Sequence, residues 1–155
     1  MNYVYPIPPS SDYGTLTADA VTRIDPLRYQ VSNSYLIIFA GTNDIHVNGT
    51  SGAATWALLE AYINARIAAG WPAGNICVGT MLPRQNQHEA DRTALNTAIR
   101  SNAAGMGYIV ADFAADTTIG DAGDENNATY YADTIHPTAA GHAIMATIII
   151  NALFP

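Results

Sequence analysis

The sequence predicts an α/β fold in which helices cover both faces of an open, mostly parallel sheet. Three short, continuous apolar runs carry this reading: "SYLIIFAG" (34–41), "NICVGTML" (75–82) and "GYIVADFA" (107–114). Such runs suit strands buried on both faces of a parallel sheet. Each is followed by residues at helical spacing, and strands alternating with helices are the pattern of parallel α/β architectures.

The elements follow in order. A weaker strand, "NYVYPI" (2–7), and a short helix over 17–24 precede the first apolar run. After that run, Trp56, Leu59, Ile63 and Ile67 recur at steps of three and four, while Glu60, Asn64 and Arg66 take other faces. That spacing predicts an amphipathic crossover helix. "HEADRTALNTAIRSNAAG" (88–105) repeats it through Leu95 and Ile99, with Gly105 as a left-handed C-cap. The last helix begins near Thr138 and runs through Ile144 and Ile148 nearly to Phe154.

A length of 155 residues suits one domain with a sizeable core, so residues 1–155 are expected to form a single unit. The chain is 49% hydrophobic and 12% charged, without an apolar run near the roughly eighteen residues of a membrane span. Six arginines, no lysine and thirteen acids give a net charge of -7, which disfavours nucleic acid or an anionic membrane as partner. The single cysteine, Cys77, lies inside an apolar run and reads as a small buried hydrophobe. No basic and apolar leader opens the sequence, so a signal peptide is expected to be absent or already removed. Low charge with abundant Ala, Thr and Asn suits a secreted bacterial protein, and much else, so the compartment stays open.

Open parallel sheets bind ligands beyond the carboxyl ends of their strands. Two segments there carry unusual chemistry. Asn43 and Asp44 follow "LIIFAG" immediately, and Asp133 and His136 stand in "DTIHPTAAGH" (133–142), just before the last helix. A carboxylate three residues before an imidazole in a tight turn can orient one ring nitrogen and leave the other facing a reactant, the orienter-and-base half of a nucleophile triad. Taken singly, each segment reads more readily as a turn: an Asp and a surface His before a proline-started helix, and an Asn tolerant of odd backbone angles.

Together, in this order, "FAGTND" and "DTIHPTAAGHAIMA" resemble the third and fifth blocks of the SGNH (GDSL) hydrolase family, and "YGTLTADAVTRI" resembles its second. The resemblance implies a three-layer α/β/α fold with a flavodoxin-like sheet of order 2-1-3-4-5. It implies that His136 is the general base and Asp133 its orienter. Gly14, through its backbone N–H, and Asn43, through its side-chain amide, would form the oxyanion hole. A rigid amide at a strand tip is a preorganised donor for charge growing on an ester carbonyl oxygen. Asp44 reads as a residue that caps or anchors the loop.

The family's first block, a Gly-Asp-Ser segment bearing the nucleophile, has no counterpart here, and only thirteen residues precede Gly14. Ser11, with Ser10 beside it in "PPSSDYG", is the nearest candidate nucleophile, although both also read as loop residues after two prolines. The first strand is therefore expected to be missing or rebuilt. "NYVYPI" could fill a central place, against which Pro6 argues because it lacks an N–H. A complementing segment or a second copy could supply the strand, or the chain is shortened at its N-terminal end.

Other chemistry is weaker. Asp116, Asp121, Asp124 and Glu125 fall in an acidic loop whose spacing matches no EF-hand, so a solvated loop near the cleft is expected and a metal is not. Tyr130 and Tyr131 either line the substrate entrance or cover the core edge. His46, His88 and His142 lack ligand-like spacing to one another.

Two functions are therefore weighed. One is a serine ester hydrolase acting through an acyl-enzyme on small acyl esters, including acetyl groups on carbohydrate, with no cofactor. The other is a catalytically impaired fragment, or a binding or accessory module, that keeps the cleft but lacks the nucleophile.

Overall fold

The computed structural model describes Ile24, Asp25 and residues 34–155. The expected strand 2–7 and all of the expected helix 17–24 except Ile24 lie outside the described residues. Along the described chain run β1 (Leu36–Ile38), the one-turn helix α1 (Thr42–His46), α2 (Gly52–Ala68), β2 (Ile76–Gly79), α3 (Glu89–Met106), β3 (Ile109–Ala111) and α4 (Ala139–Leu153). The three strands lie side by side in chain order, and both pairings are parallel. Ile37 pairs with Cys77, which pairs in turn with Ile109.

Alternation along β2 divides the core. Ile76 and Val78 join Leu36, Ile38, Leu59, Ile63, Leu95 and Ile99 beneath α2 and α3. Cys77 joins Ala111, Phe113, Ile119, Tyr131 and Met145 beneath α4. With both faces of its middle strand covered, the sheet forms the centre of three layers, as the apolar runs predict. Cys77 is a free, fully buried thiol. Burial pushes its pKa up to about 11.

Four local expectations change. β1 alternates instead of being buried on both faces: Leu36 and Ile38 face α2 and α3, whereas Ile37 is 43% exposed on the opposite face. Arg66, placed by spacing away from the apolar stripe of α2, is only 2% exposed. Its Nε lies 3.4 Å from the Asp25 carboxylate, and Tyr62 stacks under its guanidinium. α3 passes through Gly105 and ends one turn-position later, with Gly107 at φ 80 as its left-handed cap. Glu125, expected in a solvated loop, is 1% exposed and accepts the backbone N–H groups of Asn86 and Gly123 at 2.7 and 2.8 Å. For Arg66 and Glu125 a long-range ion pair or hydrogen bond outweighs local pattern.

The last helix meets its expected limits, and its N-cap is Thr138, whose hydroxyl accepts from the Gly141 N–H. Gly141 is required by close approach: a Cβ there would stand 2.4 Å from the Tyr130 carbonyl oxygen.

Beyond β2 the chain leaves the sheet while still buried, so its backbone must find side-chain partners. Asn96 of α3 supplies both: its Oδ1 accepts from the Met81 N–H at 2.6 Å, and its Nδ2 donates to the Met81 carbonyl at 2.9 Å. Replacing Asn96 with Ala leaves the Met81 N–H unmet and its carbonyl with the 3.3 Å bond from Arg92 alone, and is expected to lower unfolding stability by about 1–3 kcal/mol. Urea titration checks this, and an unchanged midpoint would show that the pair contributes nothing.

Candidate active site

Three chain segments meet beyond the carboxyl end of the sheet. The first leaves β1. Gly41 adopts φ 110, a conformation that glycine takes without a Cβ clash, and the chain turns there directly into α1. Asn43 therefore stands at the strand tip, half-buried. Asp44, beside it, is buried.

The second segment is the extension of β2 through the buried Pro83 to Arg84. Arg84 Nη1 donates to Asn43 Oδ1 at 3.1 Å and to Thr42 Oγ1 at 3.3 Å. Burial lowers the Arg84 pKa, while the Asp133 carboxylate works in the opposite direction. A guanidinium nevertheless stays protonated throughout the ordinary pH range.

The third segment is the turn before α4. Tyr131 and Pro137 form an antiparallel bridge, and the Ala132 N–H donates to the His136 carbonyl at 2.8 Å. Inside this loop Asp133 Oδ1 accepts the backbone N–H groups of Ile135 and His136, at 3.1 and 2.8 Å. The carboxylate thus fixes its own loop and holds His136 Nδ1 at 2.8 Å through Oδ2. The His136 ring bond, followed by the backbone N–H, keeps the Asp133 pKa below the usual carboxylate range. The side chains are 72% and 53% exposed, for His136 and Asp133 respectively. An exposed pair of this kind contributes little to stability. Its effect is orientation: with Nδ1–H directed to Asp133, Nε2 is left as the proton acceptor.

Backbone joins the second and third segments. The Gln85 N–H donates to the Thr134 carbonyl at 3.1 Å. Thr134 has φ 61, and Gln85, Asn86 and His88 have φ between 52 and 56. Left-handed angles are uncommon outside glycine, and they concentrate where surrounding structure over-determines the chain, often at functional sites.

The sequence-derived residues thus divide in two. Asp133 and His136 are in direct contact, and Asn43 is tied to the same region through Arg84 and Gln85. Ser10, Ser11 and Gly14 lie outside the described residues. Arg84 was missed by sequence reasoning; the available signal was a lone arginine two residues after the apolar run 75–82.

Tyr131 is a core residue, whereas Tyr130 is partly buried against the same cluster. His142 is exposed on α4. His46 and His88, separated in sequence, bring their rings to 4.8 Å between centroids. Among the described residues no group of three or more His, Cys, Asp or Glu is arranged to hold a metal ion.

The profile of the GDSL-like Lipase/Acylhydrolase family matches residues 11–144. No curated protein matches the sequence. Among solved structures, the fold is similar to that of a GDSL-like lipase from Bacteroides thetaiotaomicron, with TM-score 0.73, 19% identity, and coverage of 93% of this chain and 71% of that one. It is also similar to a member of the lipolytic protein G-D-S-L family from Veillonella parvula, with TM-score 0.65, 21% identity, and coverage of 90% and 70%. A carbohydrate esterase family 3 protein from Talaromyces cellulolyticus aligns with TM-score 0.60 and 20% identity, over 86% of this chain and 63% of that one.

Burial, aided by the charge of Arg84, pulls the His46 pKa from 6.5 to about 4. The unfolded imidazole therefore binds a proton that the folded one refuses. The stability tied to this group is complete above about pH 6.5 and is lost as pH falls towards about 4. Urea midpoints across that window should decline less steeply in His46→Gln than in the parent chain; equal slopes would show that other groups set the acid limb.

Proposed function

Because the chain belongs to the GDSL-like lipase/acylhydrolase family, we propose that it is a serine ester hydrolase that cleaves small acyl esters through an acyl-enzyme. The observation that carries this reading is the Asp133–His136 pair, oriented by the backbone of its own loop. In the proposed reaction a serine hydroxyl attacks the ester carbonyl while His136 Nε2 takes its proton, and Asp133 stabilises the imidazolium that results. The Asn43 amide and the Gly14 N–H hold the oxyanion. His136 then returns the proton to the departing alcohol oxygen, leaving the serine acylated. Water, activated by the same imidazole, attacks the acyl-enzyme, and its collapse releases the acid and restores the serine.

Ser11 is the proposed nucleophile, with Ser10 as its neighbour and competitor. The substrates are uncharged or weakly charged esters, O-acetylated carbohydrates among them, since a chain of net charge -7 repels polyanions. No cofactor enters the scheme.

Fluorophosphonate treatment followed by intact-mass measurement and peptide mapping tests the scheme. One adduct is expected, at Ser11 or Ser10, and it should disappear in His136→Ala. A folded chain that takes no adduct would sink the proposal for this chain alone and favour a module that keeps the cleft without the nucleophile. If p-nitrophenyl acetate is turned over, Asn43→Ala should lower kcat by about 10²–10³-fold with little change in KM, as for loss of an oxyanion donor.

A further inference from the structure

We propose that Arg84 is a positioning residue that fixes which edge of the Asn43 amide faces the oxyanion, an inference that rests on the esterase reading above. A side-chain amide presents an acceptor on one edge and a donor on the other, and only Nδ2 can stabilise negative charge. The two orientations are nearly equal in shape, so packing alone selects between them weakly. A guanidinium carries donors and no acceptor. The contact from Arg84 Nη1 to Asn43, at 3.1 Å, therefore admits only Oδ1 on that side and turns Nδ2 away from it. The same Nη1 donates to Thr42 Oγ1, so two successive residues at the β1 tip share one charged donor.

Arg84 is itself held in place. Pro83 before it is buried, and Met81 is gripped through both backbone polar groups by Asn96. Met81 also receives Arg92 Nη1 on its carbonyl at 3.3 Å. After Arg84, the Gln85 N–H is bonded to Thr134, inside the Asp133–His136 turn. The amide and the imidazole are thus registered to one another through the single stretch of chain from Met81 to Gln85.

Charge adds to geometry. A partly desolvated guanidinium bonded to Oδ1 polarises the amide and makes its N–H a stronger donor, because hydrogen bonds in series reinforce one another. The other ionisable groups that interact with Arg84 are the Asp133 carboxylate and the His46 imidazole. No Arg84 salt bridge to either is formed, and the hydrogen bonds to Thr42 and Asn43 are the direct polar contacts of its side chain among the described residues.

The test has two independent readouts. Nitrogen-15 NMR follows the Asn43 side-chain NH2, identified by its loss in Asn43→Asp. In the parent chain its two protons should be separately resolved and slow to exchange. In Arg84→Met, which keeps length and removes every donor, they should move to the positions of a free amide and exchange faster. Arg84→Lys, which keeps charge and one donor, should fall between the two, and it serves as the reading if Arg84→Met does not fold. Asn43 signals unchanged in either variant would overturn the proposal.

The second readout is kinetic. Arg84→Met should lower kcat by about tenfold to a hundredfold with KM nearly constant, less than the full loss of an oxyanion donor. The double variant with Asn43→Ala should be no slower than Asn43→Ala alone, because Arg84 acts through that amide. Losses that multiply would overturn the proposal. A parent chain without turnover would overturn the esterase reading, while the NMR signals would still decide whether Arg84 positions Asn43.

Discussion

The peptide of Met81 sits past the last ladder bond of β2, in the interior, where neither a strand partner nor water is at hand. A buried N–H and C=O in that position must be satisfied or the fold loses a few kcal/mol. Asn96 meets both groups and Arg92 adds a third bond, carrying its guanidinium on to the Gly120 carbonyl at 3.0 Å. Thr80, one residue earlier, is bonded to the Ala111 carbonyl, the Asp112 carboxylate and the Ala114 N–H. With this segment fixed, the next residues reach outward in a defined direction: Arg84 to the β1 tip, Gln85 to the Asp133–His136 turn, and Asn86 to the buried Glu125. Most of what surrounds the candidate site hangs from this one stretch of chain.

The Asp133–His136 turn follows a different logic. Its side chains are exposed, so their attraction is screened and adds little to stability. Order comes instead from the backbone, since the Asp133 carboxylate accepts two N–H groups of its own loop before it touches the imidazole. Such an arrangement is cheap in core volume and precise in direction, and it leaves Nε2 open to a reactant. The depressed Asp133 pKa has the same origin, because every group that bonds the carboxylate favours its charged form.

Arginine performs several structural tasks in a chain that contains no lysine. Arg66 is buried against Asp25, whose carboxylate also accepts the Trp71 indole N–H at 3.1 Å, and Arg100 forks Asp112 at 2.7 and 2.8 Å. The Arg100 fork depends on a planar group with several donors in fixed directions, which a lysine ammonium does not offer.

What the sequence determined by itself was local. Continuous apolar runs placed all three described strands and period-three-to-four patterning the three long helices, because burial is written directly in the spacing of Leu, Ile and Val. The Asp133–His136 contact was also legible, since three residues within one turn fix their own geometry. The tertiary structure decided what depends on sheet register and helix docking. It buried Arg66 and Glu125, moved the cap of α3 from Gly105 to Gly107, exposed Ile37, and brought Arg84 to Asn43 across 41 positions. The physical reason is that a hydrogen bond between distant residues exists only once two strands have paired in one register, and neighbouring residues carry no trace of that choice.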